Sequence, residues 1–251
     1  MPLETITIQQ HPIHTVIQLN RPTAHNAINT LMLAELHETL NNIALHAECR
    51  VVILEGSPAI FSAGMDLDEL ALRFLAEDHT GIHGWAIGYM AFLKRLTTIP
   101  QIVITKLEGK AIAGAVGLAA ASDLVIASPN ASFKLTETRW GLIPAMVTPF
   151  LVRRVGFQAA YKMTLTTETL LATEAHASHL IDEIYDDIEQ GLNQQIAHFE
   201  KLPIQALKEV KTYYGNFSNI TQEMEIAAVN EITRLLLQPH VQEAICKVLK
   251  K

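Results

Sequence analysis

The stretch KLTETRWGLIP (134–144) puts Lys134, Glu137 and Arg139 between two apolar runs, SDLVIA (122–127) and MVTPFLV (146–152). A carboxylate walled by Trp140, Leu142 and Ile143 would lose hydration, which raises its pKa toward the working pH of an acid/base. Glu137 is then either a working acid/base or only a solvated surface carboxylate, and as an acid/base it needs something to hold the negative charge that proton removal leaves behind. Two other stretches offer that. FSAGMDL (61–67) and EGKAIAGAVGLAAASD (108–123) each run from an extended segment through small residues into a helix. Backbone N–H groups at a helix start have no partner within the helix, and two such donors are what an oxyanion hole requires. Each stretch also has a plainer reading. At 61–67 it is an ordinary βα loop in which Asp66 caps the next helix; at 119–121 it is close packing of three alanines.

The elements that would position these residues are legible from periodicity. ETITIQQ (4–10) and IHTVIQLN (13–20) alternate as strands joined by a turn. Leu33, Leu36, Leu40, Ile43 and Leu45 predict an amphipathic helix from Thr30. RVVILEG (50–56) reads as a buried strand, and LDELALRFLAE (67–77) and WAIGYMAFLKRLTTI (85–99) as helices, the second stopped by Pro100. QIVITKLEG (101–109), LVIAS (124–128) and the start of ASFKLTE are extended, with a small-residue helix at 113–123. TPFLVRRVGFQAAYKMTL (148–165), TEAHASHLI, EQGLNQQIAHFEKLP, IQALKEVKTYYGN and a long final helix from about Thr221 complete the chain. Strands alternating with helices predict an α/β class. The expected division is 1–195 as the α/β core carrying the site and 196–251 as a helical part packed on that core or on a neighbouring subunit.

The formal charge is −7, from 26 acidic and 19 basic residues. The basic residues form no block or stripe, so nothing suggests a nucleic-acid or membrane partner. Two cysteines, Cys49 and Cys246, suit a reducing compartment and support neither a disulfide framework nor a zinc cluster. His25, His79 and His83 lack metal-ligand spacing. MPLETITIQQ lacks the basic and apolar regions of a signal peptide, and the apolar runs are short or interrupted. A soluble, cytoplasmic protein without a metal is the expectation.

FSAGMDL, AGAVGLAAASDLVIAS and SFKLTETRWGLIP resemble the signature regions of the crotonase (enoyl-CoA hydratase/isomerase) superfamily. NRPTAHNAIN (20–29) and ATEAHASHLIDEI (172–184) match its other recurrent stretches, in order along nearly the whole chain. The resemblance implies a spiral of repeated ββα units and a C-terminal helical part that builds homotrimers, often paired as hexamers. It also implies an acyl thioester substrate, carried on CoA or on the phosphopantetheine of an acyl carrier protein, and no further cofactor. The N–H groups of Ala63 and Gly114 would hold the thioester oxygen as an enolate develops. The pantetheine arm would run by the 61–67 loop, making Ser62, Gly64, Met65 and Asp66 substrate-binding candidates beside Gly117 and Trp140.

Ordinary hydratases of this superfamily carry two glutamates that position a water. Here the first position falls on Gly117 and the second on Glu137, and PAMVTPF (144–150) departs from the usual Gly-rich stretch. One acid leaves isomerisation, dehydration or no chemistry. The finer likeness of LEGSPAIFSAGMDL, KAIAGAVGL and SFKLTETRWGLIPAMVTPFLVRRVGFQAAYKMTL is to the dehydratases of polyketide β-branching cassettes. Those enzymes remove water from 3-hydroxy-3-methylglutaryl on a carrier protein to give the 3-methylglutaconyl thioester. The resemblance therefore implies a dehydratase with Glu137 as acid/base. A Δ3,Δ2-enoyl-CoA isomerase, an enoyl-CoA hydratase and a catalytically inactive binding protein of this fold are the alternatives. A distal carboxylate wants a cation, for which Arg139 and Lys134 are candidates by proximity, although Arg139 also reads as a surface salt-bridge partner. A fatty acyl chain would want an apolar tunnel.

Overall fold

The two alternating N-terminal segments pair antiparallel as β1 (Ile6–Gln10) and β2 (His14–Leu19) in the computed structural model, which describes residues 3–248. From β2 the sheet continues in parallel through β3 (Val51–Glu55), β5 (Ile102–Leu107) and β7 (Leu124–Ala127) to the short β10 (Glu183–Ile184). A second sheet holds β4 (Ile60–Ser62), β6 (Lys110–Ile112) and β8 (Ser132–Lys134) in parallel, with β9 (Leu170–Leu171) antiparallel at its edge. Each long strand β3, β5 and β7 is thus followed by a short strand in the other sheet. A helix or helical turn comes next: α2 (Leu67–Leu75), α4 (Gly114–Ala121) and a 3-10 turn at Glu137–Trp140. This is a repeated ββα unit, as the resemblance implied.

Covering both faces of the large sheet explains why β3 is apolar without alternation. Its Val51 and Ile53 join Ile102, Ile104 and Ile126 against α8 (Ile188–Glu200), which supplies Ile188, Leu192, Ile196 and Phe199. Val52 and Leu54 point the other way, into the main core with Leu36, Leu40 and Phe92. Those come from α1 (Thr30–Leu45) and α3 (His79–Thr98). Helix α8 runs across residue 195 without a break, so the sheet's outer cover spans the expected join at 195–196.

Three helices differ from their expected extents. α3 begins at His79 rather than near Trp85, because Asp78 caps it by accepting the Gly81 N–H at 2.8 Å. The segment expected as one helix at 148–165 is two, α5 (Thr148–Val155) and α6 (Phe157–Thr166), broken at Gly156 with φ +79°. After α7 (Ala172–Ala177), α8 and α9 (Ile204–Gly215), the final helix is also two, α10 (Gln222–Leu236) and α11 (Pro239–Val248), the second opening on a proline.

α10 lies along α3, tied by Lys94 to Glu225 at 2.6 Å and by His83 Nδ1 to Thr233 Oγ1 at 3.1 Å. From α9, the buried Lys211 ammonium reaches the carbonyls of Leu96 and Gln101 and the Asp123 carboxylate. Among the described residues no helix is long and apolar enough to cross a membrane.

Candidate active site

Register explains why distant segments meet. Ser62 pairs with Ala111, Ala111 with Phe133, and Ile112 with Lys134, so β4, β6 and β8 end side by side. Neighbouring strands lie about 4.8 Å apart, and the three following turns carry Met65, Gly114 and Glu137 to one edge.

The first turn is braced by the 21–28 segment. Ser62 is fully buried; its hydroxyl donates to the Asn26 carbonyl at 2.7 Å and accepts the Gly64 N–H at 3.1 Å. The Ala63 N–H donates to the His25 carbonyl at 3.0 Å, and the Asp66 N–H to the Ile28 carbonyl at 3.2 Å. Met65 alone in this run keeps an N–H with no acceptor among the described residues. Gly64 has φ +84°, and a Cβ there would sit 2.8 Å from the Ile112 carbonyl oxygen and 3.0 Å from the Gly114 nitrogen. Glycine is therefore required for the first turn to press against the second.

The second turn enters α4 through Ala113, a non-glycine residue at φ +52° whose N–H donates to the Lys134 carbonyl at 2.8 Å. A left-handed alanine costs about 1–3 kcal/mol and is held here by its neighbours. The next N–H, that of Gly114, opens the helix and has no acceptor among the described residues. Met65 and Gly114 thus present two unpaired donors on adjacent turns.

Glu137 starts the 3-10 turn, its carboxylate accepting the Thr136 N–H at 2.8 Å. Burial pushes it up from its ordinary 4.5 to about 7, against the N–H groups of Glu137 and Thr136, which favour the charged form. It faces a cavity lined by Met65, Gly114, Trp85, Tyr89, Trp140, Leu142 to Val147 and Ile232. Glu137, Thr136, Tyr89 and the indoles of Trp85 and Trp140 bring the polar side-chain atoms of this lining, to which no Lys, Arg or His among the described residues belongs.

The sequence-predicted residues divide accordingly. Glu137, Gly114, Met65, Trp140 and Ala63 line one cavity. Ala63 needs correction as an oxyanion donor, because its N–H is engaged by His25; Met65 carries the unpaired N–H of that turn. Ser62, Gly64 and Asp66 do not line the cavity. Ser62 and Gly64 build the turn. Asp66 caps α2 by accepting the Glu69 N–H at 3.0 Å and pairs with Arg21 at 2.7 Å. Gly117 is shielded, since a Cβ there would fall 2.5 Å from the Tyr89 hydroxyl. Arg139 is exposed and turned to Thr167, donating to its hydroxyl at 3.1 Å; it does not line the cavity and has no ion pair among the described residues. Lys134 also lies outside the lining. Tyr89, Trp85 and Ile232 belong to the wall, the first two being separated by four residues and so on one face of α3.

Comparison with known proteins agrees with this geometry. The enoyl-CoA hydratase/isomerase family profile matches residues 13–247. The chain belongs to that family. Among curated members it is 29% identical to the bacillaene synthase dehydratase PksH of Bacillus subtilis, over 98% of this chain and 94% of that one. It is 32% identical to the 2,3-dehydroadipyl-CoA hydratase of Escherichia coli, over 77% and 76% of the two chains. The crystal structure of the pksH polyketide biosynthesis enoyl-CoA hydratase of Bacillus subtilis superposes with a TM-score of 0.92 at 27% identity. It covers all of this chain and 98% of the other. The dehydratase and the hydratase named here are both hydro-lyases, within a family of hydratases and isomerases acting on acyl thioesters.

Proposed function

We propose that the chain dehydrates a 3-hydroxyacyl thioester, with Glu137 as its one acid/base. The observation that carries this reading is a single near-neutral carboxyl group beside two unpaired N–H donors, with the place of a second acid closed at Gly117. The thioester oxygen would accept from Met65 and Gly114. Glu137 would take the proton from the carbon next to the thioester, and the electron pair would move onto the thioester oxygen as an enolate. Collapse of the enolate forms the carbon–carbon double bond and expels the β-hydroxyl, which leaves as water with the proton held by Glu137. Losing one preorganised donor from such a pair costs roughly 10²–10³ in rate.

Likeness to the PksH dehydratase along nearly the whole chain supports dehydration over isomerisation. The substrate we infer is 3-hydroxy-3-methylglutaryl on the phosphopantetheine of an acyl carrier protein, giving the 3-methylglutaconyl thioester, with the enzyme a homotrimer or hexamer in the cytoplasm. One observation favours a second reading: the lining is largely apolar and, among the described residues, holds no cation for a distal carboxylate. That suits the acyl chain of a Δ3,Δ2-enoyl-CoA isomerase, which also needs one carboxylate.

The test is incubation with 3-hydroxy-3-methylglutaryl on carrier protein and, separately, on CoA, with Glu137→Gln alongside and water loss followed by mass spectrometry. Loss by wild type and not by the variant is expected. No mass change on either carrier, together with an absorbance change on a 3-enoyl-CoA, would replace dehydration by isomerisation.

A further inference from the structure

Position 117 faces a filled space. A Cβ on Gly117 would lie 2.5 Å from the Tyr89 hydroxyl, 3.0 Å from Val147 Cγ2 and 3.4 Å from Leu93 Cδ1. Real Cβ atoms do not approach within 3 Å, so no side chain fits there while the phenol stays. The phenol is held at both ends. Its ring stacks on Trp85, with centroids 5.3 Å apart and planes 6° from parallel. Its hydroxyl donates to the Gly114 carbonyl, and the residue is 1% exposed. Trp85 is fixed in turn by its indole N–H, which donates to the Ile28 carbonyl at 3.2 Å.

Gly114 is one of the two residues of these turns whose N–H has no acceptor among the described residues. Its N–H and carbonyl are joined through one Cα, and a glycine at that point has wide rotational freedom. A buried hydrogen bond to the carbonyl removes that freedom. A Cβ at Gly114 would itself lie 3.2 Å from the Tyr89 hydroxyl, which measures how close the phenol stands to the donor.

We propose that Tyr89 is the positioning residue of this site: its hydroxyl fixes the Gly114 donor and fills the space before Gly117, and its ring walls the cavity so that Glu137 works as the one acid there. The proposal rests on the reading of Glu137 as the acid/base. Tyr89 does not exchange protons itself. Burial and the Glu137 carboxylate push its phenol well above the ordinary 10, leaving it a hydroxyl donor throughout the working range.

The surroundings of Glu137 support the division of labour. α3 contributes Trp85 and Tyr89, the α4 turn contributes Ala113 and Gly114, the 140–147 segment is apolar, and α10 contributes Ile232. Tyr89 is the one other titratable side chain in this lining among the described residues. Lys134 and Arg139 flank Glu137 in sequence, and His240 of α11 stands by Gly141, but none of the three lines the cavity.

Two readouts separate the hydroxyl from the ring, using the full-length enzyme and the Tyr89→Phe and Tyr89→Ala variants. The first is the infrared carboxyl band of Glu137 against pH without substrate, isolated by subtracting Glu137→Gln. The second is exchange of α-protons with deuterated water on a saturated acyl-CoA, a reaction common to dehydration and isomerisation. Tyr89→Phe keeps the ring, so the band should titrate where it does in wild type, while exchange slows roughly tenfold to a hundredfold through misplacement of the donor with KM unchanged. Tyr89→Ala admits water, so the titration should fall by about one pH unit or more toward the ordinary carboxylate range. Tyr89→Leu replaces it if the alanine variant does not fold, with the same direction expected. Wild-type exchange in Tyr89→Phe would overturn the role of the hydroxyl, and an unmoved titration in Tyr89→Ala or Tyr89→Leu that of the ring. Undiminished exchange in Glu137→Gln would instead overturn the acid/base reading, and the infrared titration would still report on the ring.

Discussion

Glu137→Gln should make the protein more stable at neutral and alkaline pH, although it removes the acid/base. Folding raises this carboxyl from an ordinary 4.5 to about 7. Between those values the folded protein keeps a proton that the unfolded chain has released, so raising the pH favours unfolding. Below 4.5 both states are protonated and the penalty is absent; it grows as pH rises from about 4.5 to about 7 and is complete above that. At 1.36 kcal/mol per pH unit the full penalty is about 3 kcal/mol. That is a ceiling, because the residue is half-buried rather than sealed and water relaxes around a charge. The variant keeps an oxygen to accept the Thr136 N–H and has no proton to lose. Urea unfolding of both proteins at fixed concentration, at intervals from pH 4.5 to 8.5, measures the difference directly, and the pH effects of all other groups cancel. The stability of the variant relative to wild type should rise across that interval by up to about 3 kcal/mol. A difference that stays flat would mean that Glu137 is not desolvated in the folded protein, and the case for a near-neutral acid/base would fail with it.

Three further outcomes follow from the same contacts. The kcat/KM of wild type should climb through pH 7 and level off above it, since the proton-abstracting form of Glu137 is the carboxylate; a pH–rate profile checks this, and a decline over that range would contradict it. Gly117→Glu should lose about 1–3 kcal/mol of stability or more through overpacking against Tyr89, read as a lowered thermal midpoint. Arg139→Ala should leave kcat/KM within about twofold of wild type, because among the described residues the guanidinium hydrogen-bonds to Thr167 alone. A large loss of activity would restore Arg139 to the substrate site.

Much of the α/β frame was legible because β1, β2, β3 and α1 carry a period of two, a continuous apolar run or a period near 3.6. Of the three strands that aim the site, β8 was legible as an extended piece, and β4 and β6 were not. β4, β6 and β9 have two or three residues each, too few for any period, and exist because a neighbour in the small sheet offers them a partner. The start of α3 was hidden for a different reason: HTGIHG has no apolar repeat, and a single Asp78 cap decides it.

The site was legible in kind and less so in atom. A carboxylate among Trp140, Leu142 and Ile143 could be recognised as desolvated from neighbouring residues alone. Which N–H of FSAGMDL stays free could not, because His25, nearly forty residues upstream, takes the one on Ala63. The phenol of Tyr89 was equally hidden, since its significance depends on Gly114 and Gly117 across the fold. Charge next to Glu137 in sequence misled for Arg139, which a short turn carries to the outer surface.

Ile232 gives the cavity a wall that is made late. Glu137, both donor turns and Tyr89 all precede it along the chain, and α10 brings it back onto α3 through the Lys94–Glu225 and His83–Thr233 contacts. Domains generally fold as units during synthesis. Until α10 has docked on α3 the space beside Glu137 is an open trough, and its arrival turns the trough into a chamber. A chain cut before α10 would still carry its reactive groups and would leave that side of the site to solvent.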